Sequence, residues 1–478
     1  MDRRTFVKTG CAAVLASLIS TSSLWAGGAV KKQPNLLLIY TDDQRFDALG
    51  VAQAELGDRG RFPWLKTPQL DRLAASGLRF RESFVVNAVC SPSRACTLTG
   101  TYNHLNGVRD NVGELPADNV TVGTLLKEAG YTTGYFGKWH MGEQFTRPGF
   151  DVCASQIGHG QYIDCPLNVN GTLVETKGWL DDVVTDRAMA FIKSPKEKPF
   201  FAVLGIKAPH TPYDHDDQST AEYDDVTARA VPNLETFGPR WKELLAKSPT
   251  PPEKRTQAIH GYSRHIERID KNIGRILDML DREGLAENTL VLFTSDNGYL
   301  LGEQSMGDKR LAYEECMRVP FIARWPAGIP AGSVTDAMVL NIDIAPTLLA
   351  VAGARIPSHM QGRSLAPVFE NPSAALRDQF FYEYFWEKQA PRHPTTYAVR
   401  TRSGKLIVYP ENPEWNELFD LAKDPFETTN LINDPAHAVN KAHLSRLLET
   451  EATKVGFDVR SATGGRLPGD APNQGKSN

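Results

Sequence analysis

Four short apolar runs, each ending in polar residues, constrain the fold of this chain more than any other feature. "NLLLIY" (35–40) runs into Thr41-Asp42-Asp43, and "YTTGYFG" (131–137) into Lys138-Trp139-His140. "FFAVLGI" (200–206) leads to Lys207-Ala208-Pro209-His210, and "TLVLFT" (289–294) to Ser295-Asp296-Asn297-Gly298. Runs of this kind suit strands buried on both faces, the habit of parallel sheets covered by helices. Helical patterns separate them. "TVGTLLKEAG" (121–130) stops at Gly130, and "DDVVTDRAMAFI" (181–192) starts at an acidic cap. Ile259, Tyr262, Ile266, Ile269, Ile273, Ile276 and Leu280 then recur every three or four residues. "VPFIARW" (319–325) adds a further strand. The alternation predicts an α/β fold with a large, mostly parallel central sheet flanked by helices. Such sheets bind ligands beyond the carboxyl ends of their strands, so the four polar sets are expected at one rim.

The pattern changes near residue 375. "DQFFYEYFW", "TYAVRTRSGKLIVYP" and "NELFDLAKDP" read as short strands with turns, closed by a helix near 437–455. This predicts a smaller antiparallel subdomain over 376–460, after a catalytic α/β domain over 30–375. The tail 461–478 has almost nothing to bury and is expected to be disordered. At the other end, "MDRRTFVKTG" is basic, "CAAVLASLIS" apolar and "TSSLWAGGA" small and polar. That order is an export signal over 1–29, and its Arg-Arg pair resembles the twin-arginine kind. A periplasmic or secreted protein is expected. Residues 11–20 are too few for a comfortable membrane span, and no other segment is apolar enough.

With 41% apolar residues the chain can bury a sizeable core, and a formal net charge of −4 with no basic stretch argues against nucleic acid as a partner. Cys11 leaves with the signal. Cys153 and Cys165 are near neighbours able to pair in an oxidising compartment, and Cys96 and Cys316 read as buried singles.

Taken one at a time, the polar sets are ordinary: Asp-Asp caps helices and Asp-Asn-Gly makes turns. Together they are a constellation. Asp42, Asp43, Asp296 and Asn297 form a hard, oxygen-rich set suited to Ca²⁺ or Mg²⁺ and unsuited to zinc or copper. Arg94, Lys138 and Lys309 supply positive charge for a tetrahedral anion, and His140 and His210 can move protons near neutral pH. His260 and His265 lie on the long packing helix and receive no role.

The stretch "CSPSRACTLTG" (90–100) resembles the sulfatase signature, Cys-x-Pro-Ser-Arg followed by Thr-Gly six positions after the arginine. "PNLLLIYTDDQ", "GYFGKWHMG", "KAPHTPY", "FTSDNGYLLGEQSMGDKRLAYEE", "RVPFIARWP", "DIAPTLLAVAG" and "ELFDLAKDPFETTNL" follow that family's order through nearly the whole chain. The resemblance implies an alkaline-phosphatase-like fold and a sulfuric ester hydrolase. It implies that Cys90 becomes formylglycine through a maturation enzyme. It also implies that Asp42, Asp43, Asp296 and Asn297 hold one Ca²⁺, with position 90 completing the shell. Arg94, Lys138, His140, His210 and Lys309 would line the sulfate pocket. One position departs: Gln304 stands where many members have histidine, so a substrate contact there is expected to differ.

The stretch 147–171, "RPGFDVCASQIGHGQYIDCPLNVNG", is similar to sulfatases acting on sulfated glycans, including N-acetylglucosamine-6-sulfatases and mucin-desulfating enzymes. A sulfated carbohydrate is therefore the expected substrate. Tyr162, Asn168, Asn170, Asp110, Asn111, Arg392 and His393 are candidate sugar contacts, each with ordinary loop chemistry as the plainer reading. A phosphodiesterase or phosphonate monoester hydrolase on the same scaffold, an arylsulfatase with a non-glycan substrate, and a catalytically dead binding protein are the alternatives.

Overall fold

Leu36, Leu37, Leu38 and Ile39 have no exposed surface, and the strand they build lies in the middle of the larger sheet. The computed structural model describes residues 33–143, 145–213, 223–234, 236, 251–464 and 467–470. The expected export signal lies outside them, as do residues 471–478 of the expected tail. The strands in chain order are β1 (Asn35–Thr41), β2 (Leu78–Phe80), β3 (Ser83–Phe84), β4 (Thr132–Gly137), β5 (Val152–Ser155), β6 (Leu167–Val169), β7 (Thr172–Val174) and β8 (Phe200–Gly205). They continue with β9 (Thr289–Ser295), β10 (Phe321–Arg324), β11 (Ser333–Thr335), β12 (Val339–Leu340), β13 (Gln379–Tyr384), β14 (Thr396–Thr401), β15 (Gly404–Val408) and β16 (Glu417–Asp420).

Ten of them form one sheet in the order β11-β2-β10-β9-β1-β8-β4-β5-β6-β7. Its middle, β9-β1-β8-β4-β5, is parallel. The "VPFIARW" run gives β10, which is antiparallel to both β9 and β2. The register of the middle strands decides where the polar sets go. Thr41 pairs with Ser295, Tyr40 with Gly205, and Gly137 with Gly205. All four runs therefore end at one level, and the residues that follow share one rim.

Apolar side chains cover both faces. On one face the long helix Pro252–Arg282 and the helix Leu180–Lys193 pack Ile266, Ile269, Ile273, Val184 and Ala188 against Leu37 and Ile39. On the other, Leu36 and Leu38 meet Ala95, Leu98, Val122 and Leu126. Cys153 belongs to this second core and Cys165 to the first, so the sheet separates them and both are free thiols. Successive residues of a strand point to opposite faces, and β5 turns Cys153 away from the side where Cys165 packs.

The C-terminal strands form a four-stranded antiparallel sheet, β13-β14-β15-β16, backed by the helix Ala438–Lys454. Its core is continuous with Val85, Val86, Ala88 and Val89, the residues leading into Cys90. It is also continuous with Leu311, Ala312 and Tyr313, just after Lys309. Part of the tail is ordered: Val459–Ala462 is helical, Leu467 is buried, and Gly469 N–H donates to Ser445 Oγ.

Candidate active site

Cys90 opens a helix, Cys90–Thr99, in which every residue is buried. Val89 precedes it in extended conformation and offers no side-chain cap. The free N–H of Ser91 is met instead by Asn111 Oδ1 at 3.1 Å. Pro92 in the first turn sacrifices nothing, since N–H groups there have no partner within the helix. Gly100, in the left-handed conformation, ends the helix by donating to Cys96 O.

The strand ends bring the other groups in. Cys90 Sγ lies 3.2 Å from Asp42 Oδ1 and 2.9 Å from Lys309 Nζ. Lys309 Nζ also contacts Asp43 Oδ1, and Lys138 Nζ contacts Asp42 Oδ2. Arg94 spans the floor. Its Nε and Nη2 each lie 2.8 Å from Asp296 Oδ2, its Nη1 donates to Lys138 O at 2.6 Å, and its guanidinium stacks 4.7 Å from the Tyr40 ring centre. Asn297 Nδ2 donates to Asp43 Oδ1 at 2.6 Å, and His210 Nε2 lies 3.9 Å from Asp43 Oδ2. His140, buried and at φ +58°, lies close to Lys138 in the same cluster of charges.

Lys138 reaches the site because the backbone before it is unusually close to its neighbour. A Cβ at Gly137 would sit 2.0 Å from Gly205 O, and φ there is +91°. Glycine alone permits this approach, and Lys138 N–H then donates to Gly205 O at 2.7 Å. The His210 loop is held from the helix Leu180–Lys193. Asp181 accepts from Lys207 N and Ala208 N at 2.8 and 3.0 Å.

Burial and charge set the protonation states. Burial, then the nearby Asp42 carboxylate, push the Cys90 thiol up to about 12. Burial pushes the Asp42 carboxyl up too, but Lys138, His210, Arg94 and Lys309 outweigh it and hold the group well below its usual range. Burial and the charge of Lys138 keep His140 neutral, and burial pushes His210 down to about 4.

Asp42, Asp43 and Asp296 each offer a carboxylate oxygen, and these oxygens lie within 4.8 Å of one another. Asn297 Oδ1 is buried and has no hydrogen-bond partner among the described residues. Three anionic oxygens and an unpartnered amide oxygen match the donor set of a hard divalent cation.

All ten residues expected at the site, Cys90 included, are thus found around one another. The expected sugar contacts fare differently. Tyr162 is buried against Trp179, and its hydroxyl donates to His210 O. Asn168 is buried and bonds Phe145 O and Gly171 N, while Asn170 Oδ1 accepts from Cys153 N. Asp110 caps its own turn through Val112 N and Gly113 N. Asn111 braces the Cys90 helix, His393 is buried 3.5 Å from Asp308, and Arg392 alone among the late pair is exposed. Gln304 is buried and donates to Glu427 O, so the position that departs from the usual histidine joins the C-terminal segment and offers no surface to a substrate.

Sequence reasoning missed two groups. Lys207 Nζ stacks 4.7 Å from the Tyr162 ring centre, with burial and Lys138 pushing it down to about 8. Its signal was present, three residues before His210. His159 stands between His140 and His210, and only its place in Gly158-His159-Gly160 marked it.

The sulfatase family profile matches residues 34–354, and the profile described as N-sulphoglucosamine sulphohydrolase, C-terminal, matches 302–454. The chain belongs to the sulfatase family. It is a sulfuric ester hydrolase with the alkaline-phosphatase-like fold. An N-acetylglucosamine-6-O-sulfatase from Bacteroides thetaiotaomicron is 32% identical over 494 residues, covering 87% of this chain and 86% of that protein. An ulvan-active sulfatase from Formosa agariphila is 30% identical, covering 90% and 83%. A solved structure of a protein with its substrate D-glucosamine-2-N,6-O-disulfate superposes with TM-score 0.80 at 29% identity, covering 89% of this sulfatase and 98% of that chain. A phosphonate monoester hydrolase of Agrobacterium radiobacter shares the fold at TM-score 0.73 and 22% identity, covering 88% and 96%.

Proposed function

We propose that this sulfatase removes O-sulfate from a sulfated glycan, with a 6-O-sulfated hexosamine as its substrate class. The observation that carries the reading is the shared register of β1, β4, β8 and β9, which gathers the acidic, basic and imidazole groups around Cys90. The similarity to an N-acetylglucosamine-6-O-sulfatase supports the choice of sugar.

Asp42, Asp43, Asp296 and Asn297 would hold Ca²⁺ together with position 90, and the ion would add positive charge beside the bound sulfate. A buried thiol pushed up to about 12 is a poor nucleophile, which supports the reading that position 90 acts only after conversion to formylglycine by a maturation enzyme. Hydrated, that aldehyde would offer two hydroxyls on one carbon, one to attack sulfur as its proton passes to the neighbouring Asp42 carboxylate, and one to expel sulfate as the carbonyl re-forms. The remaining steps fall to side chains. Arg94 and Lys138 orient the sulfate by charge. The ammonium of Lys309, with neutral His210 beside it, protonates the departing alcohol oxygen. Neutral His140 takes the proton from the second hydroxyl.

The same reading treats 1–29 as a twin-arginine-like export signal, 30–375 as the catalytic domain and 376–460 as its C-terminal partner. Export to the periplasm or beyond follows from it. Among the described residues no helix is long and apolar enough to cross a membrane.

The test is sulfate release by the purified, matured enzyme from N-acetylglucosamine-6-sulfate, with 4-sulfated and N-sulfated sugars, a phosphonate monoester and a phosphodiester alongside. Sulfate release from the 6-sulfate above all other esters supports the reading. Faster turnover of the phosphonate or phosphodiester by chain carrying the aldehyde would reject it.

A further inference from the structure

A third imidazole stands beside the two already given roles. His159 lies between β5 and β6, flanked by Gly158 at φ +56° and Gly160 at φ +61°. A Cβ on Gly160 would come 2.7 Å from Gln156 Cγ, so the loop turns tightly on residues without side chains and carries one ring. That ring's centre is 4.0 Å from His140 and 5.0 Å from His210. Its Nδ1 lies 3.3 Å from Lys138 Nζ. An ammonium has only donors, so Nδ1 accepts, and the proton of the neutral ring sits on Nε2. The charge of Lys138 agrees, since it pushes this imidazole far below its ordinary range. His140 is buried and His210 largely so, whereas His159 is exposed. The ring is tied at one nitrogen to a cation of the sulfate pocket and is open to an incoming molecule.

We propose that His159 is a specificity-determining residue whose Nε2–H donates to an oxygen of the sugar that carries the sulfate. This rests on the glycan-sulfatase reading and deepens it. Nδ1 faces the Lys138 ammonium, which the Asp42 carboxylate already holds, and the opposite nitrogen reads the group next to the sulfate. A hydroxyl or N-substituent oxygen of a hexosamine satisfies that donor, and a flat aryl ester carries no such neighbour.

The experiment compares wild type, His159→Ala and His159→Gln on N-acetylglucosamine-6-sulfate and on 4-nitrophenyl sulfate. Thermal melting and aldehyde content at position 90 are measured for each protein. His159→Ala is expected to raise KM for the sugar sulfate about tenfold, while kcat/KM on the aryl ester falls no more than about threefold. His159→Gln keeps an N–H donor and is expected to recover most of the loss on the sugar. Equal losses on both esters, or no loss on the sugar, overturn the inference. A wild-type enzyme that cleaves the aryl ester and no sugar ester defeats the glycan reading itself, and that failure appears in the parent before any variant is made.

Discussion

The ammonium of Lys309 stands 2.9 Å from the sulfur of Cys90 and also contacts the Asp43 carboxylate. One buried cation thus touches both the position proposed to react and a candidate metal ligand. The carboxylates around it, Asp43 first, offset its burial and hold it protonated. Lys309→Ala is expected to lower kcat by about a hundredfold to a thousandfold, the usual loss on removing a charge-stabilising donor. Steady-state kinetics on the 6-sulfated sugar, with aldehyde content verified, measures it.

Removing the cation is expected to abolish turnover and lower the melting temperature. Asp42, Asp43 and Asp296 are buried side by side, and their mutual repulsion is relieved by positive charge. A ligand at a hundred times its dissociation constant stabilises by about 2.7 kcal/mol. Chelation followed by calcium add-back, read by differential scanning fluorimetry and activity, checks this. Full activity after exhaustive chelation would exclude a metal role for these carboxylates.

Arg94 is expected to tolerate no conservative change. It contacts Asp296 through two nitrogens and Lys138 O through a third, with no exposed surface. Lysine lacks the planar fork and leaves buried charge unpaired. Arg94→Lys should cost about 3 kcal/mol in urea unfolding and should remove activity.

The C-terminal sheet reaches into the site through Tyr382, whose hydroxyl donates to Arg310 O at 2.9 Å and accepts from Ala88 N at 3.3 Å. These backbone atoms lie one residue after Lys309 and two before Cys90. Tyr382→Phe strands both. The expected loss is about 1–3 kcal/mol of stability, with a larger effect on kcat than on KM. Calorimetry and kinetics on the same preparation separate the two.

Stability should also depend on pH through His104. Its Nδ1 meets Glu383 Oε2 at 2.8 Å and its Nε2 meets Val455 O at 2.9 Å. Burial opposes the charge, but the Glu383 contacts outweigh it and raise the imidazole above its usual 6.5. A basic group with a raised folded value stabilises fully below the unfolded value, and its contribution disappears as pH rises through the folded one. Wild type should therefore lose stability relative to His104→Gln as pH climbs above about 6.5. Melting curves from pH 5 to 9 test it. A constant difference between the two proteins across that range would rule it out.

The rim was legible because Asp42, Lys138, His210 and Asp296 each follow directly on a run of buried residues. Parallel pairing then does the rest, since equal register puts equal positions at equal height. The orientation of β10 was not legible, because a short apolar run looks the same in either direction. Whether Tyr162, Asn168 and Gln304 face a ligand was not legible, for another reason. Polar side chains in loops serve their own backbone as readily as a ligand, and only burial and partners tell the two apart. His159 was hidden because its neighbours, Lys138 and His210, are distant in the chain and meet only through β4 and β8.

The burial of the helix Cys90–Thr99 imposes an order of events. No atom surface of Cys90 faces solvent, and the residues leading into it share a core with the C-terminal sheet. An enzyme that oxidised this thiol, as proposed, would have to meet it on an open chain, before the last strands close over it. On that proposal oxidation and folding would compete in time. A chain that folded first would be locked as a stable, unconverted protein, and the active share of any preparation would record which event came first.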